Sequence, residues 1–450
     1  MASTRSLNAA SLSAYVVSQL RAHVRPNSRV CVGLSGGRDS VVLLHLICSL
    51  RKEIAINVGV IHVNHQISPN ANRWADFCVA LCAELDVPLR VERVDVARDS
   101  GKGLEASARN ARYAAYASVD VDLIVLGHHR ADQAETVLLQ ALRGAGLAGI
   151  RGMPVMKKIR ANKQLFRPLL DVAPEILADY ANAHSLEWIN DESNNDRRYT
   201  RNYVRHEILP SLAEHIPQSA ESLVRLSHHA AEAQTLLNDL AKIDCANVFV
   251  GERISISRLV SLPVSRAKNL LRYWFVKASV PLPNTVQLDE IIGQLAARQS
   301  DSQTEISWAD WQLRCYQDEI YVSRNASPTR TTWSIEWHNE PELLLPNCRG
   351  LIRVKKRVGV GISENRVTGK RLTFRSRVGG ESFRQHASRP RRALKNLLQE
   401  AKIPPWRRQA MPLLFCGETL IWVSGIGIDE NFVANEVEQG LSFSWCEGVD

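Results

Sequence analysis

The stretch Ser35-Gly36-Gly37-Arg38-Asp39-Ser40 decides how this chain folds, because of what stands on either side of it. Before it runs Arg29-Val30-Cys31-Val32-Gly33-Leu34, short, apolar and rich in β-branched residues, the pattern of a buried strand. After it comes Val41-Val42-Leu43-Leu44-His45-Leu46-Ile47, apolar on most faces, which reads as a helix holding Asp39 and Ser40 in its first turn. A strand, a glycine loop and a helix N-terminus make an anion site. Free backbone N–H groups and the positive end of the helix dipole converge there on one point. Gly36 and Gly37 let the backbone turn tightly and approach a phosphate with no Cβ in the way.

Outward from this loop, strands and helices alternate up to about residue 190. Strands are expected at Ile56–Val63, Leu89–Val94 and Leu123–Gly127, with helices at Asn72–Leu85, Leu104–Ser118 and Ala131–Arg143. That order implies an α/β fold with a doubly wound parallel sheet, its ligand at the carboxyl ends of the strands. From Pro217 the pattern turns helical, with helices expected at Ala220–Ile243, Ser265–Ala278 and Val286–Ala296. The polar stretch Asn325–Thr332 reads as a linker, and short alternating strands follow, with a helix at Arg392–Ala401. Three domains are expected: residues 1–215 doubly wound, 216–325 helical, and 340–450 a small basic α+β module.

Charge is divided sharply between these parts. From Leu345 to Ala410 there are 18 Lys and Arg against three acids, a net +15, while the other 38 basic and 44 acidic residues give −6. Clustering this dense marks a polyanion partner, and RNA is the form favoured by Arg389-Pro390-Arg391-Arg392 and Trp406-Arg407-Arg408. Nine scattered cysteines, an odd number without framework spacing, argue for reduced thiols and a cytoplasmic protein. Cys78 and Cys82, four apart on an amphipathic pattern, read as core thiols in preference to zinc ligands. No apolar run reaches membrane-spanning length. Residues 1–38 contain no acid, the composition of a transit peptide, but Leu12–Val24 reads as a helix feeding the first strand and so as part of the fold.

Three segments fall at strand ends. Ile61-His62-Val63-Asn64-His65 closes the second strand, the usual place for a loop touching an adenosine. Gly103-Leu104-Glu105-Ala106-Ser107-Ala108-Arg109-Asn110-Ala111-Arg112-Tyr113 places Glu105 and Arg109 at i,i+4 with Arg112 one turn on; a surface ion pair and a functional face are both open readings. Gly127-His128-His129-Arg130-Ala131-Asp132-Gln133-Ala134-Glu135-Thr136 turns two carboxylates, Asp132 and Glu135, towards one crevice. There they suit Mg²⁺ or an ammonium group, or serve as an N-cap pair.

The glycine loop lacks the G-x-x-x-x-G-K-[ST] of a Walker loop and resembles the S-G-G-x-D-S loop of the N-type ATP pyrophosphatases. That resemblance implies cleavage of ATP between its α- and β-phosphates, with Asp39 holding Mg²⁺ on the pyrophosphate. The whole order of motifs resembles the tRNA(Ile)-lysidine synthetase family. It comprises the loop, His62-Val63-Asn64-His65, the Glu105–Tyr113 segment and His128-His129-x-x-Asp132-Gln133-Ala134-Glu135-Thr136, then Arg167-Pro168-Leu169-Leu170, Trp188–Asn194 and Tyr199–Arg205. The run Pro404-Pro405-Trp406-Arg407-Arg408 is similar to the family's longer form.

This resemblance implies adenylation of carbon 2 of the wobble cytidine in a CAU anticodon, then attack there by the amine of free L-lysine. The partners it implies are ATP, Mg²⁺, L-lysine and tRNA(Ile), with no membrane and with a homodimer left open. Carried over residue by residue, Ser35, Gly36, Gly37, Arg38, Asp39, Ser40, His62 and His128 would bind ATP. Arg112 would stand by the activated base or α-phosphate, with Arg109 in support, and Asp132 and Glu135 would receive the lysine amine. Asn194, Arg201, Asn202, Arg205, Arg391, Arg392, Lys395, Trp406 and Arg407 would hold the tRNA. One departure stands out: the family shows H-x-x-D-D-x-x-E-T, and the first of those aspartates is Ala131 here. A tRNA thiolase shares the loop but usually carries sulfur on a C-x-x-C pair, which this chain lacks; a decayed tRNA-binding protein is the other alternative.

Overall fold

A computed structural model of the chain describes residues 7–96, 103–160, 163–192, 196–298, 304–325, 332–346, 350–386 and 390–446. They form two compact units, Met1–Ile243 and Asp244–Asp450. The first opens with α1 (Ala9–Arg21), β1 (Arg29–Gly33), α2 (Arg38–Leu50), β2 (Asn57–Asn64), α3 (Ala71–Glu84), β3 (Leu89–Arg93) and α4 (Leu104–Ser118). It continues with β4 (Leu123–Val125), α5 (Arg130–Leu142), α6 (Leu147–Ile150), β5 (Met156–Arg160), β6 (Lys163–Phe166) and α7 (Pro174–Ala183). Then come α8 (Thr200–Tyr203), a π-turn at Val204–Ile208, α9 (Leu209–His215) and the long α10 (Ser219–Val248), which runs past the division between the units.

The six strands lie in the order β3-β2-β1-β4-β6-β5, parallel except for β5, which pairs antiparallel with β6. The chain builds outward from β1 in one direction and returns to place β4 on its other side. The carboxyl ends of β1 and β4 therefore flank a switch point, where ligands of such sheets bind. The alternation within β1 sets the two layers: Val30 and Val32 join α1, α2 and α7 through Leu12, Val16, Leu43, Leu44 and Leu177. Cys31 faces the other layer with Ile61, Ile124, Leu165 and the α4 residues Ala115 and Tyr116. Lys163, buried at the start of β6, donates from Nζ to Ala117 O at 2.7 Å and to Val119 O, closing the carbonyl end of α4.

In the second unit, helices Ile256–Val260, Val264–Lys277 and Thr285–Ala297 pack through Leu259, Leu270, Phe275, Leu288 and Ile291. The segment expected to be helical up to residue 325 also carries an antiparallel sheet of Glu305–Trp308, Trp311–Tyr316 and Glu319–Arg324. Its hairpins turn on Ala309 and Gln317, both at positive φ (47° and 51°), so no Asn-Gly or Gly-rich signal announces them in the sequence. Further on, a five-stranded sheet (order Ser334–Glu336, Leu372–Arg375, Leu413–Cys416, Thr419–Val423, Gly427–Ile428) and a four-stranded sheet built on Leu351–Val358 and Gln439–Cys446 carry the helix Leu394–Glu400. Most of the expected linker, residues 326–331, lies outside the described residues. Among the described residues no helix is long and apolar enough to cross a membrane.

Candidate active site

The glycine loop leaves β1 and enters α2 with Gly37 as N-cap, so no side chain occupies the donors of the first helical turn. Gly36 sits at φ +88°, a conformation that favours glycine, and its carbonyl accepts from Ile189 N at 2.9 Å. Two serines tie the loop to itself. Ser40 Oγ lies 3.0 Å from Ser35 Oγ and donates to Gly37 O at 2.8 Å, while Gly37 N donates to Ser35 Oγ at 3.3 Å. The loop is therefore shaped before any anion arrives, which is what a backbone cradle for a pyrophosphate requires.

Asp39 follows on the first turn of α2. Its Oδ1 accepts from Arg38 Nε at 3.0 Å and its Oδ2 lies 3.3 Å from His129 Nε2. Burial works against its charge, but the His129 bond and Arg38 outweigh that and hold the carboxyl below the usual carboxylate range. The β4 loop meets this point directly: a Cβ on Gly127 would stand 2.7 Å from Asp39 O, so a side chain there has no room. His129 caps α5 with Nδ1, which accepts from Ala131 N at 3.2 Å, leaving its proton on Nε2 towards Asp39. Burial opposes charge on His129, while Asp132 and Asp39 outweigh it and raise its pKa. Asp132 closes the capping box by accepting from His129 N at 3.0 Å.

Asp132 and Glu135 share one face of α5, and two arginines hold them. Glu135, 1% exposed, receives Arg201 Nε at 3.0 Å and Arg205 Nη2 at 3.0 Å, and Arg205 Nη2 also reaches Asp132 Oδ1 at 2.7 Å. Burial raises the Asp132 pKa, but His129, His128, Arg205 and Arg201 together bring it down to about 2. Arg201 and Arg205 come from α8 and the π-turn, whose wider winding keeps both on the face turned to α5. Residues assigned to the amine and residues assigned to tRNA are thus brought into one ion cluster, half-buried apart from the buried Glu135. Asn202 donates to Asp196 O at 3.0 Å; Asn194 and the Glu105 side chain lie outside what is described.

On α4, Arg112 points Nε at His65 Nε2, 3.3 Å away, and burial followed by Arg112 drops the His65 pKa to about 4. His62 is buried and its Nδ1 lies 2.9 Å from Leu34 O, pinning the end of β1 beside the loop. Burial brings the His128 pKa to about 3; Asp132 pulls it up, and Arg167, Arg201 and Arg109 push it further down. Gln133 was not singled out from sequence. It is 2% exposed, donates to Met153 O at 3.1 Å and accepts from Met153 N at 2.8 Å, fixing α5 to the loop before β5. A glutamine between two carboxylates gives no pattern signal of such a role.

In the second unit, several of the basic residues assigned to tRNA have internal partners. Arg391 pairs with the fully buried Asp429 at 2.8 Å, and Arg392 with Glu400 at 3.0 Å. Trp406 packs edge-on to Tyr321 with ring centroids 5.4 Å apart, Arg407 lies over Trp445 at 5.8 Å, and Lys395 is exposed.

Comparison with known proteins agrees with this architecture. A family profile described as a PP-loop domain matches residues 10–212, and profiles for the TilS substrate binding domain and the TilS substrate C-terminal domain match 254–321 and 372–445. Sheet, loop and profile define the first unit as an ATP-binding PP-loop domain of the ATP pyrophosphatase kind. The tRNA(Ile)-lysidine synthase of Nitrosomonas europaea is 40% identical over 447 residues, 99% of this chain and 98% of its own. That of Coxiella burnetii is 36% identical over 416 residues, 92% of each chain. The chain belongs to the tRNA(Ile)-lysidine synthase family. A solved U34-tRNA thiolase, NcsA from Methanococcus maripaludis, is 20% identical with a TM-score of 0.43, over 49% of this chain and 78% of that one.

Proposed function

We propose that the chain is an ATP-dependent ligase that joins L-lysine to carbon 2 of the wobble cytidine of a CAU-anticodon tRNA(Ile), making lysidine and moving codon reading from AUG to AUA. The observation that carries this reading is a contact. The loop leading into α5, the helix that bears the Asp132–Glu135 pair, lies against the glycine loop at Gly127 and Asp39, so a site for a cationic amine adjoins a site for ATP.

In the first step the cytidine O2 attacks the α-phosphorus of ATP and pyrophosphate leaves towards the backbone donors of Gly36–Ser40. Arg112 stands by the activated base or α-phosphate. Asp39 is ionised and its side chain is 31% exposed, which fits a magnesium ion held by one carboxylate with phosphates and water. Bound there, Mg²⁺ would supply charge neutralisation on the leaving pyrophosphate. In the second step the lysine Nε bonds to carbon 2, AMP departs with the former O2, and the nitrogen sheds its protons. Asp132, its carboxyl pKa held at about 2, is a weak base, and both it and Glu135 are occupied by Arg201 and Arg205, so the pair accepts the amine only as those two arginines draw back. The amine then replaces one cationic N–H donor with another.

A thiolase reading needs an ionisable sulfur near the loop. Cys31 and Cys78 are buried in the core and burial pushes both thiols up to about 12, which keeps them protonated. The test uses purified protein with ATP, Mg²⁺, radiolabelled lysine and a CAU-anticodon tRNA(Ile). ATP-dependent label in the acid-insoluble RNA that vanishes when the wobble C is replaced supports the reading; RNA binding without label overturns it.

A further inference from the structure

Arg167 is the bulkiest side chain buried to 1% exposure, and none of the ion pairs among the described residues includes it. It follows β6 directly, at the carboxyl edge of the sheet. Its Nη1 donates to Pro154 O at 2.7 Å and its Nη2 to Tyr113 OH at 3.0 Å, while its buried Nε has no partner. A guanidinium keeps its charge under such burial, and burying it without a counter-ion is unfavourable. A fold tolerates that arrangement where an anion arrives from outside.

Tyr113 shows where. Its phenol oxygen has two acceptor lone pairs and one proton. Arg167 Nη2 takes one lone pair and Arg109 Nη2, at 3.4 Å, takes the other, so the O–H is left as a donor with no acceptor among the described residues. Lys157 Nζ lies 4.9 Å from the centre of the Tyr113 ring and Arg109 Cζ 5.3 Å. The result is graded: a buried cation at the base, a half-buried hydroxyl donor above it, and exposed Arg109 and Lys157 at the rim. Among the described residues, the groups around the Tyr113 hydroxyl are donors and cations. His128, neutral and surrounded by Arg167, Arg109 and Arg201, joins this seat to the carboxylate cluster.

We propose that Tyr113, oriented by Arg167 and flanked by Arg109 and Lys157, donates its hydroxyl proton to a phosphodiester oxygen of the substrate RNA beside the target base. The glycine loop already provides for the phosphates of ATP, so the phosphate left to be held is that of the polynucleotide. The inference rests on tRNA being the substrate. Arg167 is a positioning residue and acts through Tyr113.

The discriminating variant is Tyr113→Phe, which keeps the ring and its cations and removes the hydroxyl. Its KM for tRNA is expected to rise about tenfold, as for a lost hydrogen bond to a charged group, with the KM for ATP unmoved. A tRNA carrying one neutral methylphosphonate next to the wobble nucleotide should weaken the wild type by a similar factor and the variant hardly further, a non-additive cycle. Arg167→Lys, which keeps charge but loses the paired donors, should reproduce the Tyr113→Phe pattern more weakly. A rise in the KM for ATP instead, or additive losses from variant and methylphosphonate, overturns the proposal. Binding of the same RNAs measured without ATP or lysine reads the seat even if no lysidine forms, so failure of the seat and failure of the function are told apart.

Discussion

The glycine-loop edge of the first unit and the basic segment of the second use charge in opposite ways. At the edge, both carboxylates of α5 are paired: Asp39, His129, Asp132, Glu135, Arg201 and Arg205 form one chain of contacts drawn from three stretches of sequence. In the basic segment the excess is large, yet Arg353, Lys356, Arg371, Arg375, Arg377, Arg391 and Arg392 all pair with acids, most of them outside the segment's own count. The difference teaches that net charge measures attraction, whereas availability depends on pairing that the count does not see. A motif whose function is carried by backbone geometry is legible; a charge cluster is legible only as an excess.

The contrast is broken most severely at Asp39. Asp39→Asn keeps size and loses the charge available to a metal, so pyrophosphate release should fall about a thousandfold. RNA affinity, carried elsewhere, should stay within about threefold by filter binding. If RNA binding collapses as well, Asp39 is a structural residue and the edge is not separable from the basic module. Gly127→Ala tests the same edge by sterics alone, since the new Cβ meets Asp39 O at 2.7 Å. Displacing the loop by a few tenths of an ångström should cut lysine transfer about a hundredfold, with only about 1–3 kcal/mol lost from stability. Full activity in this variant would mean that the two loops need not touch.

The sequence made the loop, the strand–helix order and the α5 carboxylates readable because each follows from local periodicity and glycine placement. For α4 the periodicity and the observed helix agree at both ends, Leu104 and Ser118. The hairpins at Ala309 and Gln317 were not readable, because non-glycine residues adopt positive φ there under tertiary constraint. The Arg201–Glu135 contact was equally hidden: the two lie 66 residues apart, and a π-turn that no sequence pattern marks sets their registry. Arg391 and Trp406 read as free RNA contacts because their partners, Asp429 and Tyr321, stand far off in sequence.

Availability in the basic segment is sharpened by comparing Arg391→Ala with Lys395→Ala. Removing Arg391 strands the carboxylate of Asp429, which is 0% exposed, though Arg391 itself is 42% exposed and water screens part of the pair. The loss should be about 2 kcal/mol, seen as a Tm lower by about 5 °C. Lys395 is exposed and should leave Tm alone, while RNA affinity drops about threefold and the salt dependence shallows by about one unit. If Arg391→Ala weakens RNA binding with no fall in Tm, its pairing with Asp429 does not persist in solution.

The smallest effect is expected at Ala131, where the family's first aspartate is missing. Ala131 lies in the first turn of α5, its N–H held by His129 Nδ1, and a carboxylate in that turn is favoured by the helix dipole by about 0.3–1 kcal/mol. The cluster beside it already holds two carboxylates against two guanidiniums, so its charge is balanced without a third acid. Ala131→Asp should therefore leave lysine transfer within about twofold of the parent or raise it, a change well under 1 kcal/mol. A clear loss would show that Asp132 does not occupy the family's second aspartate position, and that the cluster with Arg201 and Arg205 has been assigned the wrong partner for the amine.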